Sequence, residues 1–220
     1  MKVVIFGATG MVGQGVLREC VRDAGVERVL CVGRRASGVV HPKVTDLIVE
    51  DPGNLGAVER QLTGLDACFF CLGVSSVGMK EADYRRITYD LTLGAATTLA
   101  RLDPQMSFIY VSGAGTDSTE RGRSMWARVK GATENALMRL PFKATYMFRP
   151  GGIQPMHKVR SKTRLYHAAY WLASPLLGLL ARTAPRWFTT SEQVGRAMLV
   201  VARRGAPSPL VESIDINTLR

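Results

Sequence analysis

The sequence predicts an α/β protein: a doubly wound, mainly parallel sheet of the Rossmann-like kind, in a single domain with a small C-terminal cap. Three observations carry this. Apolar segments of strand length alternate with segments of helical periodicity, the first strand runs into a glycine-rich turn, and 220 residues at 46% hydrophobic content suffice for one full core. No repeat or low-complexity tract divides the chain. Residues 1–220 therefore read as one unit, with about 154–190 as a variable cap segment.

The first strand is Lys2-Val3-Val4-Ile5-Phe6, and it feeds Gly7-Ala8-Thr9-Gly10-Met11-Val12-Gly13. Glycines in such a turn let the backbone approach a pyrophosphate, and the helix beyond offers unpaired N–H groups and a partial positive charge. Val12, Val16 and Leu17 give that helix an apolar face. Gly7, Thr9, Gly10, Met11, Val12 and Gly13 are thus the expected diphosphate contacts. The second strand, Arg28-Val29-Leu30-Cys31-Val32, ends in Gly33-Arg34-Arg35. An acidic side chain there would bind the ribose hydroxyls of NAD, whereas arginine accommodates the 2′-phosphate of NADP. Guanidinium grips phosphate with a bidentate fork, so Arg34 and Arg35 predict NADP(H) in preference to NAD(H). The third strand, over 46–49, ends in Glu50-Asp51, and Asp51 is expected to reach the adenine amino group.

A helix is expected over 54–62 and a fourth buried strand over 66–71. The following loop, 72–78, lies at the strand edge where open α/β sheets bind ligands. There Leu72 and Gly73 would pass close to a ribose, while Ser75 and Ser76 suit ligand contact and plain turn chemistry equally. A long helix over 80–101 closes at Asp103-Pro104, and Ser107-Phe108-Ile109-Tyr110-Val111 is the fifth strand. Ser112 stands at its tip. The next helix, over 124–140, carries Trp126 and Lys130, four residues apart and so on one face.

The glycine turn, Ser112 and Trp126-x-x-x-Lys130 together resemble the short-chain dehydrogenase/reductase superfamily. The likeness is to its extended and atypical, NAD(P)-binding, epimerase-like branches, including proteins similar to the Tat-interacting oxidoreductase-like group. It is close over about 1–155 and weaker over 186–203. The resemblance implies that Ser112 positions a substrate carbonyl and that Lys130 holds the nicotinamide ribose. It also implies a tyrosine proton donor where this chain has Trp126, and an indole N–H is far too weak an acid for that work. Tyr84, Tyr89 and His157 are alternative donors by residue type. Arg149-Pro150-Gly151-Gly152-Ile153 resembles the step after the sixth strand (144–148) of these proteins, implying that Pro150, Gly151 and Ile153 pass near the nicotinamide carboxamide. Ser191, before Glu192 and Gln193, reads as a helix N-cap.

Cys20, Cys31, Cys68 and Cys71 lie on expected helices and strands and read as reduced core residues, with no metal site among them. No secretory leader is expected ahead of so early a glycine turn, and a cytoplasmic location follows. Lys and Arg number 29 against 18 Asp and Glu, a net charge of +11. The bases are scattered singly or in pairs without stacking aromatics, so nucleic acid is not the favoured partner. Residues 165–181 are almost wholly apolar, yet Ser174-Pro175 splits them into pieces too short to cross a bilayer. Helices packed over the sheet, a lid on an apolar substrate pocket, a homodimer surface and peripheral membrane contact all fit this segment. The resulting expectation is an NADP(H)-binding oxidoreductase or epimerase-like protein acting on an apolar small molecule. The alternative is a catalytically silent NADP(H)-sensing regulatory or interaction protein with a protein partner.

Overall fold

The computed structural model describes residues 1–156 and 186–219. His157 and the apolar segment 165–181, with its Ser174-Pro175 break, lie outside the described residues. Strands β1 (Lys2–Phe6), β2 (Arg28–Gly33), β3 (Val44–Ile48), β4 (Ala67–Phe70), β5 (Ser107–Val111), β6 (Ala144–Arg149), β7 (Gly152–Gln154), β8 (Phe188–Thr190) and β9 (Leu210–Glu212) follow one another along the chain. Seven of them form one sheet in the order β3-β2-β1-β4-β5-β6-β9, with every pairing parallel. Strands β7 and β8 pair separately, also in parallel. The doubly wound α/β sheet expected from the sequence is the architecture observed.

The central strands read as continuous apolar runs because both faces of the sheet are covered. On one face Val3, Ile5, Phe69, Ile109 and Phe148 pack against α1 (Met11–Arg22) and a helix near the C-terminus, Ser191–Arg204. On the other, Val4, Phe6, Phe70, Phe108 and Tyr110 pack against Leu99 and Leu137. This alternation along each strand is the two-residue period of a pleated sheet. Helices on both faces leave the C-terminal strand ends open as a row of loops, and the Gly7–Gly13 turn, Arg34, Arg35, Leu72, Gly73 and Ser112 follow closely on those ends.

Several boundaries differ from expectation. Residues 54–62 form a 3-10 turn over Gly56–Leu62 in place of an α-helix, since that short stretch buries Leu62 but no full apolar stripe. The third strand starts and stops two residues and one residue earlier than expected, so Asp51 sits three residues beyond it. The fourth strand ends at Phe70, and Cys71 already belongs to the exit toward the glycine turn. The long helix is α2 (Glu81–Arg85) and α3 (Leu91–Leu102), joined through a π-helical turn, Arg86–Asp90. Helix α4 (Met125–Leu137) ends three residues short of the expected 140. Helix α5 (Ser191–Arg204) is capped by Thr190, whose hydroxyl accepts from the Gln193 N–H at 3.1 Å. Ser191 is the first helical residue, not the cap; its hydroxyl instead accepts from the Met156 N–H at 3.2 Å. The chain closes with α6 (Ser213–Thr218).

Candidate active site

The glycine turn is built by close approach of backbone to backbone. Gly7 holds a φ of 82°, a region that favours glycine. A Cβ there would stand 2.8 Å from the Cys71 carbonyl carbon, and one on Gly13 would stand 2.1 Å from the Gly7 oxygen. The Gly10 N–H donates to the Gly7 carbonyl at 2.9 Å, which closes the turn. Helix α1 then begins with Gly10 as a cap that has no side chain, and its first turn carries no acidic residue. The N–H groups of Met11, Val12 and Gly13 therefore lack intrahelical partners. Positive helix-end potential, open donors and a cradle that any Cβ would fill make this turn fit a diphosphate. Thr9 lies within it, its carbonyl accepting from the Gln14 side chain at 2.9 Å.

Arg34 and Arg35 follow β2 fully exposed, and neither forms an ion pair with a described residue. The neighbouring carboxylate, Asp46 on β3, is engaged elsewhere. It accepts from the Ser37 N–H at 2.9 Å and from the Ser37 hydroxyl at 3.2 Å. Asp51 accepts from the Gly53 N–H at 2.8 Å and lines a cavity of about 340 Å³ with Gly53, Arg86, Ile87, Asp90 and Leu91. That cavity lies between the end of β3 and the π-helical turn. A larger one, about 440 Å³, lies on the outer side of α1 among Gln14, Arg18, Arg22, Val39 and Met156, away from Ser112.

Leu72 packs at the margin of the core, its N–H side drawn against Gly7, while a Cβ on Gly73 would enter open space. Gly73 is thus not demanded by packing among the described residues. Gly151 is: a Cβ there would stand 2.3 Å from the Trp187 carbonyl oxygen, and its N–H donates to the Ser213 hydroxyl at 2.7 Å. Pro150 is buried before it, and Ile153 sits in β7 opposite Thr189.

Strand β5 and helix α4 bring Ser112, Trp126 and Lys130 to one side of the edge. Ser112 is 8% exposed and its hydroxyl lies 2.9 Å from that of Thr116. The six-membered ring of Trp126 lies against the loop after Ser112: Cβ atoms on Gly115 and Gly113 would stand 3.7 and 3.9 Å from it. Lys130 reaches back to β5, donating to the Val111 carbonyl at 3.3 Å and to the Tyr110 hydroxyl at 3.4 Å. Its ammonium also stands 5.0 Å over the Tyr110 ring. Desolvation lowers the Lys130 ammonium to about 8, against an upward pull from Glu134.

Beneath this, Glu134 and Arg149 form a buried ion pair. The guanidinium donates from Nε to Oε1 at 3.0 Å and through Nη2 to Oε2, and Nη2 also donates to the Ser118 hydroxyl at 2.6 Å. One arginine at the end of β6 thereby holds α4 and the 113–124 loop in register. Thr116, Tyr110 and this pair are the residues that sequence reasoning missed. None carries a local motif, and only strand β5 followed by a helix bearing Lys130 hinted that something must orient the lysine.

The alternative proton donors fare differently. Tyr84 is 2% exposed and packed in the interior, and burial raises its phenol. Helix α2, which carries it, packs against α4. Tyr89 is partly exposed under the Arg85 guanidinium, 4.1 Å from its ring centre. Tyr110 lies beside Lys130 but is sealed at 1% exposure, and burial pushes its phenol above the usual range.

No protein-family model matches the chain. Among solved structures it is similar to the Bordetella bronchiseptica enzyme WbmF in complex with NAD+ and UDP, with a TM-score of 0.68 and 16% identity over 99% of this chain and 75% of that one. It is similar also to UDP-glucose 4-epimerase of Thermotoga maritima, with a TM-score of 0.62 and 14% identity over 91% and 73% of the two chains. The chain shares the doubly wound α/β fold of these solved structures. Its sequence is similar to curated fungal proteins: 27% identical to the mitochondrial protein fmp52 of Emericella nidulans over 89% of this chain and 84% of that one. It is 24% identical to the mitochondrial protein FMP52 of Chaetomium globosum over 91% and 83%. The expected cytoplasmic location is overturned by these relatives, which are named mitochondrial. Reduced, buried cysteines occur in any reducing compartment and never distinguished the two. Among the described residues no helix is long and apolar enough to cross a membrane.

Proposed function

We propose that this chain is an NADP(H)-binding oxidoreductase or epimerase-like protein acting on an apolar small molecule. The observation that carries the reading is the pairing of a glycine-built, donor-lined turn at Gly7–Gly13 with two exposed guanidiniums at the end of β2 that form no ion pair with a described residue. In it, Gly7, Thr9, Gly10, Met11, Val12 and Gly13 hold the diphosphate, Arg34 and Arg35 the 2′-phosphate, and Asp51 the adenine. Leu72 and Gly73 flank the ribose, Lys130 donates to its hydroxyls, and Pro150, Gly151 and Ile153 border the carboxamide. Ser112 orients the substrate oxygen. When bound, the nicotinamide supplies or accepts the hydride. A single domain with about 154–190 as its variable cap belongs to the same proposal.

Trp126 cannot deliver the proton that accompanies hydride transfer, so the proton at the substrate oxygen comes from water or from a group other than residue 126. Calorimetry with NADPH and NADH tests the cofactor half, and oxidation of NADPH against a carbonyl library tests the enzyme half. Uptake of neither coenzyme overturns the proposal. The second reading, a catalytically silent NADP(H) sensor, draws on Trp126 itself, whose ring is laid on the Gly113–Gly115 loop where the acid would stand. Under it NADPH binds and is never oxidised. Under the enzyme reading turnover occurs without any need for Trp126→Tyr.

A further inference from the structure

We propose that Thr116 fixes Ser112 as a hydrogen-bond acceptor toward the cleft, so that the position opposite Ser112 holds a hydroxyl more tightly than a carbonyl. This rests on the reading of Ser112 as the substrate-facing residue and names the substrate class for it: an apolar alcohol.

The argument is a count of protons. The Thr116 hydroxyl oxygen lies 2.7 Å from the Gly113 carbonyl oxygen. A carbonyl has no proton, so at that separation Thr116 must donate. A hydroxyl carries one proton, which leaves Thr116 only lone pairs to offer Ser112. The 2.9 Å contact between the two hydroxyls is therefore filled by the proton of Ser112. Both side chains are 8% exposed, so water does not readily take over either role. Turning the Ser112 proton outward would set two oxygen lone pairs face to face at that distance inside the protein, a desolvated and repulsive arrangement.

Ser112 consequently shows the cleft only acceptor capacity. A ketone oxygen placed against it would meet another acceptor, whereas an alcohol donates its hydroxyl proton to it. The resemblance implied the opposite polarity, with serine positioning a carbonyl. Thr116 is a positioning residue here, acting through Ser112, four residues before it on the β5–α4 loop.

The test compares cyclohexanol with cyclohexanone on the full chain loaded with 1,4,5,6-tetrahydro-NADP, an analogue with no hydride to give. Dissociation constants are read by ligand-observed NMR. The alcohol is expected to bind about tenfold more tightly, the effect of leaving one buried polar group unmatched. Thr116→Val frees the Ser112 proton to turn outward and abolishes the preference, Thr116→Ser retains it, and Ser112→Ala binds both probes alike. A wild-type preference for the ketone, equal binding, binding of neither probe, or a preference that survives Thr116→Val overturns the inference. Calorimetry of NADPH on the same preparation separates the two failures. Cofactor uptake with the wrong probe preference removes Thr116's role alone, whereas absence of uptake removes the underlying reading and this inference with it.

Discussion

The Gly7–Gly13 turn and the β5–α4 region are built by opposite means. Around Gly7–Gly13 the geometry comes from side chains that are missing: backbone meets backbone, and donors are left open. Around Ser112 and Lys130 it comes from polar side chains that are buried and paired, Ser112 with Thr116, Lys130 with Tyr110, and Glu134 with Arg149. The first design tolerates almost no added atom but needs no partner. The second tolerates atoms but fails when a partner is lost, because an uncompensated polar group in a desolvated site is the larger penalty.

The contrast breaks most visibly at Gly13. Gly13→Val drives its Cβ into the Gly7 carbonyl, and calorimetry should detect no uptake of NADPH, together with a loss of about 1–3 kcal/mol or more in stability. Next comes Glu134→Ala, which removes the buried carboxylate and leaves the Arg149 guanidinium only the half-exposed Glu212, 3.5 Å away, as an ionic partner. Denaturant unfolding should show a loss of about 3–5 kcal/mol. A mild effect there would mean that the second region is not held by its pairs.

Lys130 gives a smaller and pH-dependent signature. Its folded value of about 8 lies below its ordinary 10.5, so between those limits the unfolded chain holds a proton that the folded chain has released. Stability therefore rises with pH across that window, and the penalty is constant below it. Buried Cys20, Cys68 and Cys71 work in the other direction at alkaline pH, since burial raises their thiols. The difference between wild type and Lys130→Met isolates the lysine, at up to about 3 kcal/mol from pH 7.5 to 10.5. Smallest is the exposed arginine pair. NADPH should bind at least about tenfold more tightly than NADH, corresponding to about 1.5–3 kcal/mol for one charged pairing, and Arg34→Ala with Arg35→Ala should remove that gap. Equal affinities in the wild type would reject both arginines as 2′-phosphate ligands.

What could be read from the chain follows the same division. The Gly7–Gly13 turn and Arg34-Arg35 are contiguous, so their meaning is local and legible. The apolar runs also placed the first six strands to within a few residues, because burial on both faces leaves a plain signal in Val3 to Phe6 or Phe69 to Phe70, whereas the three-residue β7, β8 and β9 are too short to leave one. The pairings around β5 were not legible, since Tyr110 meets Lys130 across 20 residues and Ser118 meets Arg149 across 31. Thr190 rather than Ser191 capped α5 because both are capping residue types, and only the backbone of Thr190, extended at φ −115°, suits the position.

The small β7–β8 pair sets Gly152–Gln154 beside Phe188–Thr190, so two segments far apart in the chain are joined in parallel outside the seven-stranded sheet. Joining segments so far apart has a closure cost that grows slowly with the length between them: doubling a connection adds only about 0.6 kcal/mol. A change in the length of that connection would thus leave the β7–β8 pairing, and the seven strands beside it, little disturbed.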